Sequence, residues 1–330
     1  MRFDVRYRTL FTYDEAASES QNELRACPVT DATQRLIDYR VSVEPAARIH
    51  SYFDAWGTRV DSFGVRKPHM AMEVVAESSV ETSPRPLPVS APRMAAVADP
   101  EFIDDHIAFL ERDRHTDYGE PVAEAARRQA VIAGDDVVST VLAVHRFVRS
   151  TLAYAPGSTS VGIEVDQVLA GGMGVCQDFA HLAVAMCRSL GIPARYTSGY
   201  LFTEDDASGA DSAADTVFVQ THAWFEAAVP GWGWLSLDPT NGQVVGERHV
   251  KIGHGRSYDD VQPLRGVFLG PAASTVHPAV EIQRMSSEEL WRSGHSGSVV
   301  TAVPTAYITQ ATRAPLPLGT LQQQQAQQQQ

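Results

Sequence analysis

The sequence predicts an α+β fold, on three observations. The first ~80 residues alternate apolar and polar positions as half-buried strands do. Residues 101–149 and 179–190 repeat apolar positions at helical spacing, and β-formers return after residue 195. A small antiparallel β domain is therefore followed by a region of helices and strands in which one helix opens on a cysteine.

In the N-terminal part, Phe3, Val5, Tyr7 and Thr9 alternate with Arg2, Asp4, Arg6 and Arg8, and Ile37, Tyr39, Val41 and Val43 repeat the pattern. Residues 52–58 read as a hairpin turning over 54–57, and 70–80 as a further strand. Ser83-Pro84-Arg85-Pro86-Leu87-Pro88 lacks the N–H groups a ladder needs and forms a stiff linker. The expected division is a β-rich domain over 1–83, a linker over 84–98, a catalytic domain over 99–290 and an irregular segment over 291–330. On this division the β domain serves binding and contributes little to chemistry. Asp99-Pro100-Glu101 is a helix start, with Asp as cap and Pro in the first turn. Helical patterns follow over 101–111, 121–132 and 136–149, and 152–157 turns toward the cysteine loop.

Gly171-Gly172-Met173-Gly174-Val175-Cys176 places three glycines in four positions just before a thiol, a tight loop. Phe179, Leu182, Ala183, Met186 and Leu190 then mark one buried helix face, closed by Gly191 and Pro193. Cys176 thus sits at a helix N-terminus, where unpaired N–H groups favour a thiolate. Asp178 reads as ordinary helix-start chemistry. Cys187, in mid-helix, and Cys27, before Pro28, have no such setting and are structural.

Residues 217–226 are rich in β-formers, Pro230-Gly231 marks a turn and residues 232–238 form the returning strand. A hairpin centred at 230 makes His222 and Asp238 opposite or diagonal neighbours on one face. Trp224 and Glu226 share that face. Cys, His and Asp in these settings form a nucleophile–base–orienter set.

Four strings carry a family resemblance. They are residues 174–182 (Gly-Val-Cys-Gln-Asp-Phe-Ala-His-Leu), 191–200, 221–224 (Thr-His-Ala-Trp) and 237–242 (Leu-Asp-Pro-Thr-Asn-Gly). In this order they resemble the bacterial transglutaminase-like superfamily, in particular the group of transglutaminase-like cysteine proteases. The resemblance covers about residues 120–245, and the β-rich start resembles that group's N-terminal region. It implies a papain-like core with Cys176 as nucleophile, His222 as base and Asp238 as its partner. It also implies a thioester-forming peptidase, amidase or transglutaminase acting on a protein or peptide amide; the alternative is a catalytically silent protein-binding module. Ala170 stands where papain-type enzymes carry an oxyanion glutamine. Gln167, Gln177 and Tyr154 are the candidates to replace it.

Composition limits the other readings. The chain has 330 residues, 44% hydrophobic and 20% charged, room for roughly two domains with a sizeable core. Net charge is −13 without a basic run, which argues against nucleic-acid or membrane partners. Three cysteines without C-x-x-C spacing form neither a disulfide framework nor a zinc cluster, and no metal or cofactor is expected. Without a signal-like apolar start, the expected location is the cytoplasm. Only Lys67 and Lys251 are lysines, so extensive self-crosslinking is not expected. His249, Lys251, His254 and Arg256 read either as lining of the site or, preferably, as a solvated basic surface. Residues 204–215 form an acidic loop, and the Gln-rich end is low-complexity and expected to be disordered.

Overall fold

The computed structural model of the protein describes residues 1–89, 92–203, 216–270 and 273–285. The acidic stretch 204–215 and the Gln-rich end lie outside the described residues. The elements run β1 (Arg2–Ala17), β2 (Glu19–Leu24), β3 (Gln34–Glu44), β4 (Ile49–Phe53), β5 (Arg59–Val65), β6 (His69–Thr82), α1 (Pro100–His106), α2 (Glu120–Ala133), α3 (Val137–Thr151) and β7 (Ala153–Tyr154). They continue with α4 (Val165–Gly171), β8 (Met173–Gly174), α5 (Cys176–Ser189), β9 (Ala194–Leu201), β10 (Thr216–Val219), β11 (His222–Val229), β12 (Gly233–Asp238), β13 (Gln243–Val244), β14 (His249–Gly255), β15 (Leu264–Leu269) and β16 (Ser274–Arg284). Among the described residues no helix is long and apolar enough to cross a membrane.

The fold is α+β. One antiparallel sheet has the order β13-β12-β11-β9-β14, and α5 packs on it. Phe225, Ala227 and Val229 of β11 and Leu235 and Leu237 of β12 bury one face against Phe179, Leu182, Ala183 and Met186 of α5, with α2 and α3 behind. The period of two on the strands meets the period of 3.6 on the helix at a single apolar seam. The far end of α5 is pinned by Arg188, which donates to the carbonyls of Ala194, Glu111 and Arg256 and to the Thr116 hydroxyl.

Two further sheets are built on the N-terminal strands, in the orders β10-β16-β1-β6-β3 and β15-β2-β5-β4. The alternation read in residues 2–9 becomes alternating burial along β1. In β3 the register shifts between Leu36 and Asp38, which leaves Ile37 exposed in spite of its apolar character.

Three features differ from the sequence expectation. Residues 217–226 are not one strand: Gln220 and Thr221 interrupt it, so β10 pairs with β16 while β11 pairs with β9 and β12. Residues 264–284, expected within the segment 99–290, form β15 and β16 on the N-terminal strands. The short helix α4 was not anticipated, since seven residues hold too little periodicity to register.

Candidate active site

Cys176 is the first residue of α5, the only partly exposed thiol of the three. Gly172 takes a left-handed φ of 65° to end α4, which lets the chain reverse within the loop. At Gly174 a Cβ would stand 2.7 Å from the Asp178 carboxylate, so the glycine admits that side chain. Asp178 accepts from the Val175 N–H at 2.8 Å and the Thr159 hydroxyl at 2.6 Å, which secures the helix start. Its role is structural, as the sequence suggested. Burial pushes both the Cys27 and Cys187 thiols up to about 12, so neither ionises near neutral pH.

His222 opens β11 and Asp238 closes β12. Phe225 pairs with Leu237 and Val229 with Gly233, so the hairpin centres on Gly231, one residue beyond the predicted midpoint. Continued outward, this register puts Asp238 across from Trp224 and diagonal to His222 on the same face. His222 Nε2 meets Asp238 Oδ2 at 2.8 Å. The Cys176 side chain lines the same cavity wall and is close enough to His222 to help raise its basicity. With Nε2 engaged by Asp238, Nδ1 is the nitrogen left for the thiol.

Asp238 is fully buried and closely held. Its Oδ1 accepts from the backbone N–H groups of Thr240 (3.0 Å) and Asn241 (3.2 Å), the turn anticipated at 238–242. The Asn241 amide donates to Oδ2 at 2.8 Å, and His249 Nε2 lies 3.3 Å from the same oxygen. Its backbone carbonyl meets His145 Nε2 at 2.9 Å. Burial disfavours the carboxylate, yet His222 and the other donors outweigh it and hold Asp238 well below the usual range. Burial likewise opposes charge on His222, and the hydrogen bonds and charges of Asp238 and Cys176 carry it up to about 10.

The thiol faces a cavity of about 350 Å³ walled by Tyr154, Gln177, Tyr196, Asn241 and Tyr258 beside Cys176 and His222. Among the described residues its lining holds no Asp, Glu, Lys or Arg. Of the oxyanion candidates, Tyr154 and Gln177 line this wall, whereas Gln167 is exposed on α4 beside Glu164.

Glu226, the other carboxylate on the His222 face, is committed elsewhere. It meets Arg195 at 2.6 Å and Lys251 at 2.7 Å and accepts from the Ser236 hydroxyl at 2.8 Å. The expected solvated basic surface over 249–256 is therefore incorrect for its first half, since His249 and Lys251 are buried on Asp238 and Glu226. Arg256 is bound to Asp260, and burial lowers His254 to about 3. No local pattern marks such pairs, because their partners come from distant strands. His222, Asp238 and His249 bring ligand-type atoms within 4.8 Å of one another. Gly246 N–H donates to His249 Nδ1, so His249 Nε2 carries a proton and this cluster is a hydrogen-bonded hub around Asp238 rather than a ready metal cage.

Comparison with known proteins gives the class. The transglutaminase-like superfamily model matches residues 124–239, and the bacterial transglutaminase-like N-terminal region matches residues 3–81. An uncharacterised protein of Mycobacterium leprae is 36% identical over 285 residues, covering 86% of this chain and 99% of the relative. The chain belongs to the transglutaminase-like superfamily. A protein-glutamine gamma-glutamyltransferase of Pseudomonas aeruginosa is 33% identical over 137 residues, 40% of this chain and 20% of that protein. A solved structure from Cytophaga hutchinsonii, itself a candidate cysteine protease, superposes with a TM-score of 0.64 at 25% identity, covering 85% of this chain and 90% of its own.

Proposed function

We propose that the protein is a thiol-dependent amide-bond hydrolase or acyltransferase with Cys176 as nucleophile, His222 as general acid and base, and Asp238 as the orienting carboxylate. The observation that carries this reading is the His222–Asp238 hydrogen bond at the wall of the open cavity that Cys176 and His222 line together. The Cys176 thiolate adds to the amide carbonyl, and the tetrahedral oxyanion collapses as His222 protonates the leaving amine. A thioester on Cys176 remains. Water or an acceptor amine then attacks it, His222 takes the attacker's proton, and the thiolate leaves as the acid or new amide is released. The helix start and the imidazolium place positive charge beside the Cys176 sulfur. The relatives named as a glutamyltransferase and as a candidate cysteine protease both fit this chemistry, one for each acceptor.

Intact mass spectrometry after a thiol-directed acylating probe tests the reading. The expected result is one adduct on Cys176, absent in Cys176→Ala. Transfer of the acyl group to an added amine assigns an acyltransferase, and its loss to water a hydrolase. A folded wild-type protein with no adduct, or with adducts on Cys27 or Cys187 instead, overturns the assignment.

A further inference from the structure

We propose that His249 is a positioning residue of this centre, donating from Nε2 to the Asp238 oxygen that also holds His222. This rests on the Cys176–His222–Asp238 reading and adds a fourth side chain from a different strand.

The first support is the tautomer. The Gly246 N–H donates to His249 Nδ1 at 3.3 Å, so the ring proton sits on Nε2, 3.3 Å from Asp238 Oδ2. The second is charge. The His249 side chain is 2% exposed, and burial outweighs the pull of Asp238 to keep its basicity below that of a free imidazole. A neutral donor satisfies a lone pair of the buried carboxylate without adding a cation, leaving the negative charge to His222. The third is packing. The Trp224 ring meets His249 edge-on at 5.4 Å and lies tilted at 6.2 Å from His222, so one indole sets both imidazoles. Gly199 makes room for it, since a Cβ there would stand 2.5 Å from the indole and 2.2 Å from the Val250 carbonyl.

The turn that carries His249 is itself anchored. The Thr82 hydroxyl, at the end of β6, donates to the Glu247 carbonyl at 2.5 Å, and the Phe202 N–H donates to the Arg248 carbonyl at 2.9 Å. A line of hydrogen bonds thus runs from the last residue of β6 through the 246–249 turn and Asp238 to the thiol's imidazole.

The test is the pH profile of Cys176 alkylation by iodoacetamide in the full chain, read by mass spectrometry. The ionisable groups around His222 and His249 are Cys176 on α5, Asp238 on β12, His145 on α3 and Arg85 in the linker. His249→Phe keeps a ring and loses the donor; the rate at neutral pH should fall roughly tenfold, the scale of a lost partner one step behind a reacting group. The alkaline limb should move down, because a less well held carboxylate stabilises the imidazolium less. His249→Gln, whose amide can donate from a similar position, should recover most of the rate. A His249→Phe protein with wild-type rate and profile, an upward limb at unchanged rate, or a folded His249→Gln as slow as the Phe variant overturns the proposal. Should His249→Phe not fold, nitrogen-15 NMR of the unmutated imidazoles decides: a neutral Nε2–H tautomer supports the proposal, and an Nδ1–H tautomer or an imidazolium at neutral pH overturns it. A wild-type Cys176 that titrates as one ordinary thiol without an alkaline limb sinks the nucleophile reading itself; altered His249 variants on an intact wild-type profile bear on His249 alone.

Discussion

Asp238 accepts from two backbone amides, one side-chain amide and two imidazoles, so its carboxylate cannot move or protonate without breaking several contacts. Asp238→Asn should therefore keep the fold but present an amide N–H to His222 Nε2, favouring the wrong tautomer. Cys176 alkylation near neutral pH should drop by roughly 10²- to 10⁴-fold, by analogy with triads in general. Cys176→Ala should abolish labelling, with His222→Ala close behind, in the same timed alkylation. Full activity in Asp238→Asn would sink the role of that carboxylate. The same contacts set a pH dependence of stability. His222 lies at about 10 in the folded protein, against about 6.5 for an unfolded imidazole. Its contribution is complete below about 6.5 and is lost as pH rises toward about 10. Asp238 is depressed, so its contribution is present above about 4 and is lost on acidification. Lys251, lowered to about 8, acts in the opposite sense above that pH, so urea titrations across pH 6–10 isolate His222 by comparing wild type with His222→Gln, whose loss on raising the pH should be smaller by up to a few kcal/mol. The slope should be shallower in His222→Gln, and equal slopes would contradict the ion pair.

At the scale of elements, the cysteine helix was legible because its signals are local: glycines before it, one apolar face, Gly191 and Pro193 after it. The β11–β12 hairpin was legible to within one residue, since Pro230-Gly231 marks the turn and leaves only the register open. The break at Gln220 and Thr221 was not, because β-propensity does not say which sheet a strand joins. The Glu226 cluster was also hidden, as Arg195, Ser236 and Lys251 reach it from three other strands. That cluster leads to a clear expectation. Glu226→Gln removes the carboxylate between two cations that are about nine-tenths or more buried, and burial already lowers Lys251 to about 8 in spite of Glu226. Breaking one side of such a network costs about 3–5 kcal/mol. Chemical denaturation should show that loss, while Cys176 alkylation in the folded fraction stays within a few-fold of wild type. A dead but stable Glu226→Gln would instead make Glu226 the partner of His222.

At the scale of the whole molecule, the Pro-rich stretch after β6 suggests a β domain set apart from the chemistry, but the pairing and packing cross that linker. All eleven residues of β16 pair along β1, and β15 pairs along β2, so the chain returns to its N-terminal strands after passing through the sheet that carries His222 and Asp238. Tyr200 and Phe202, from β9 and the residue just past its end, and Val250 and Ile252 of β14 bury in the same core as Phe3, Tyr7 and Phe63. The Phe3 and Phe202 rings lie 5.2 Å apart. Gln34 donates to the Lys251 carbonyl and accepts from its N–H, each at 2.8 Å, tying β3 to the strand that carries His249. A fragment beginning at Pro92 would expose Tyr200, Phe202, Val250 and Ile252 at about 1.5–3 kcal/mol each, a sum comparable to the whole stability of an ordinary domain. It would also strand β15 and β16 without partners, leaving sheet edges open to aggregation. The expected outcome is a fragment that precipitates, or that lacks near-ultraviolet circular dichroism and labels Cys176 and Cys187 indiscriminately once native contacts are lost. A soluble fragment with native dichroism and labelling confined to Cys176 would mean that the sheet carrying His222 and Asp238 holds together without that shared core, and that residues 1–91 act on binding alone.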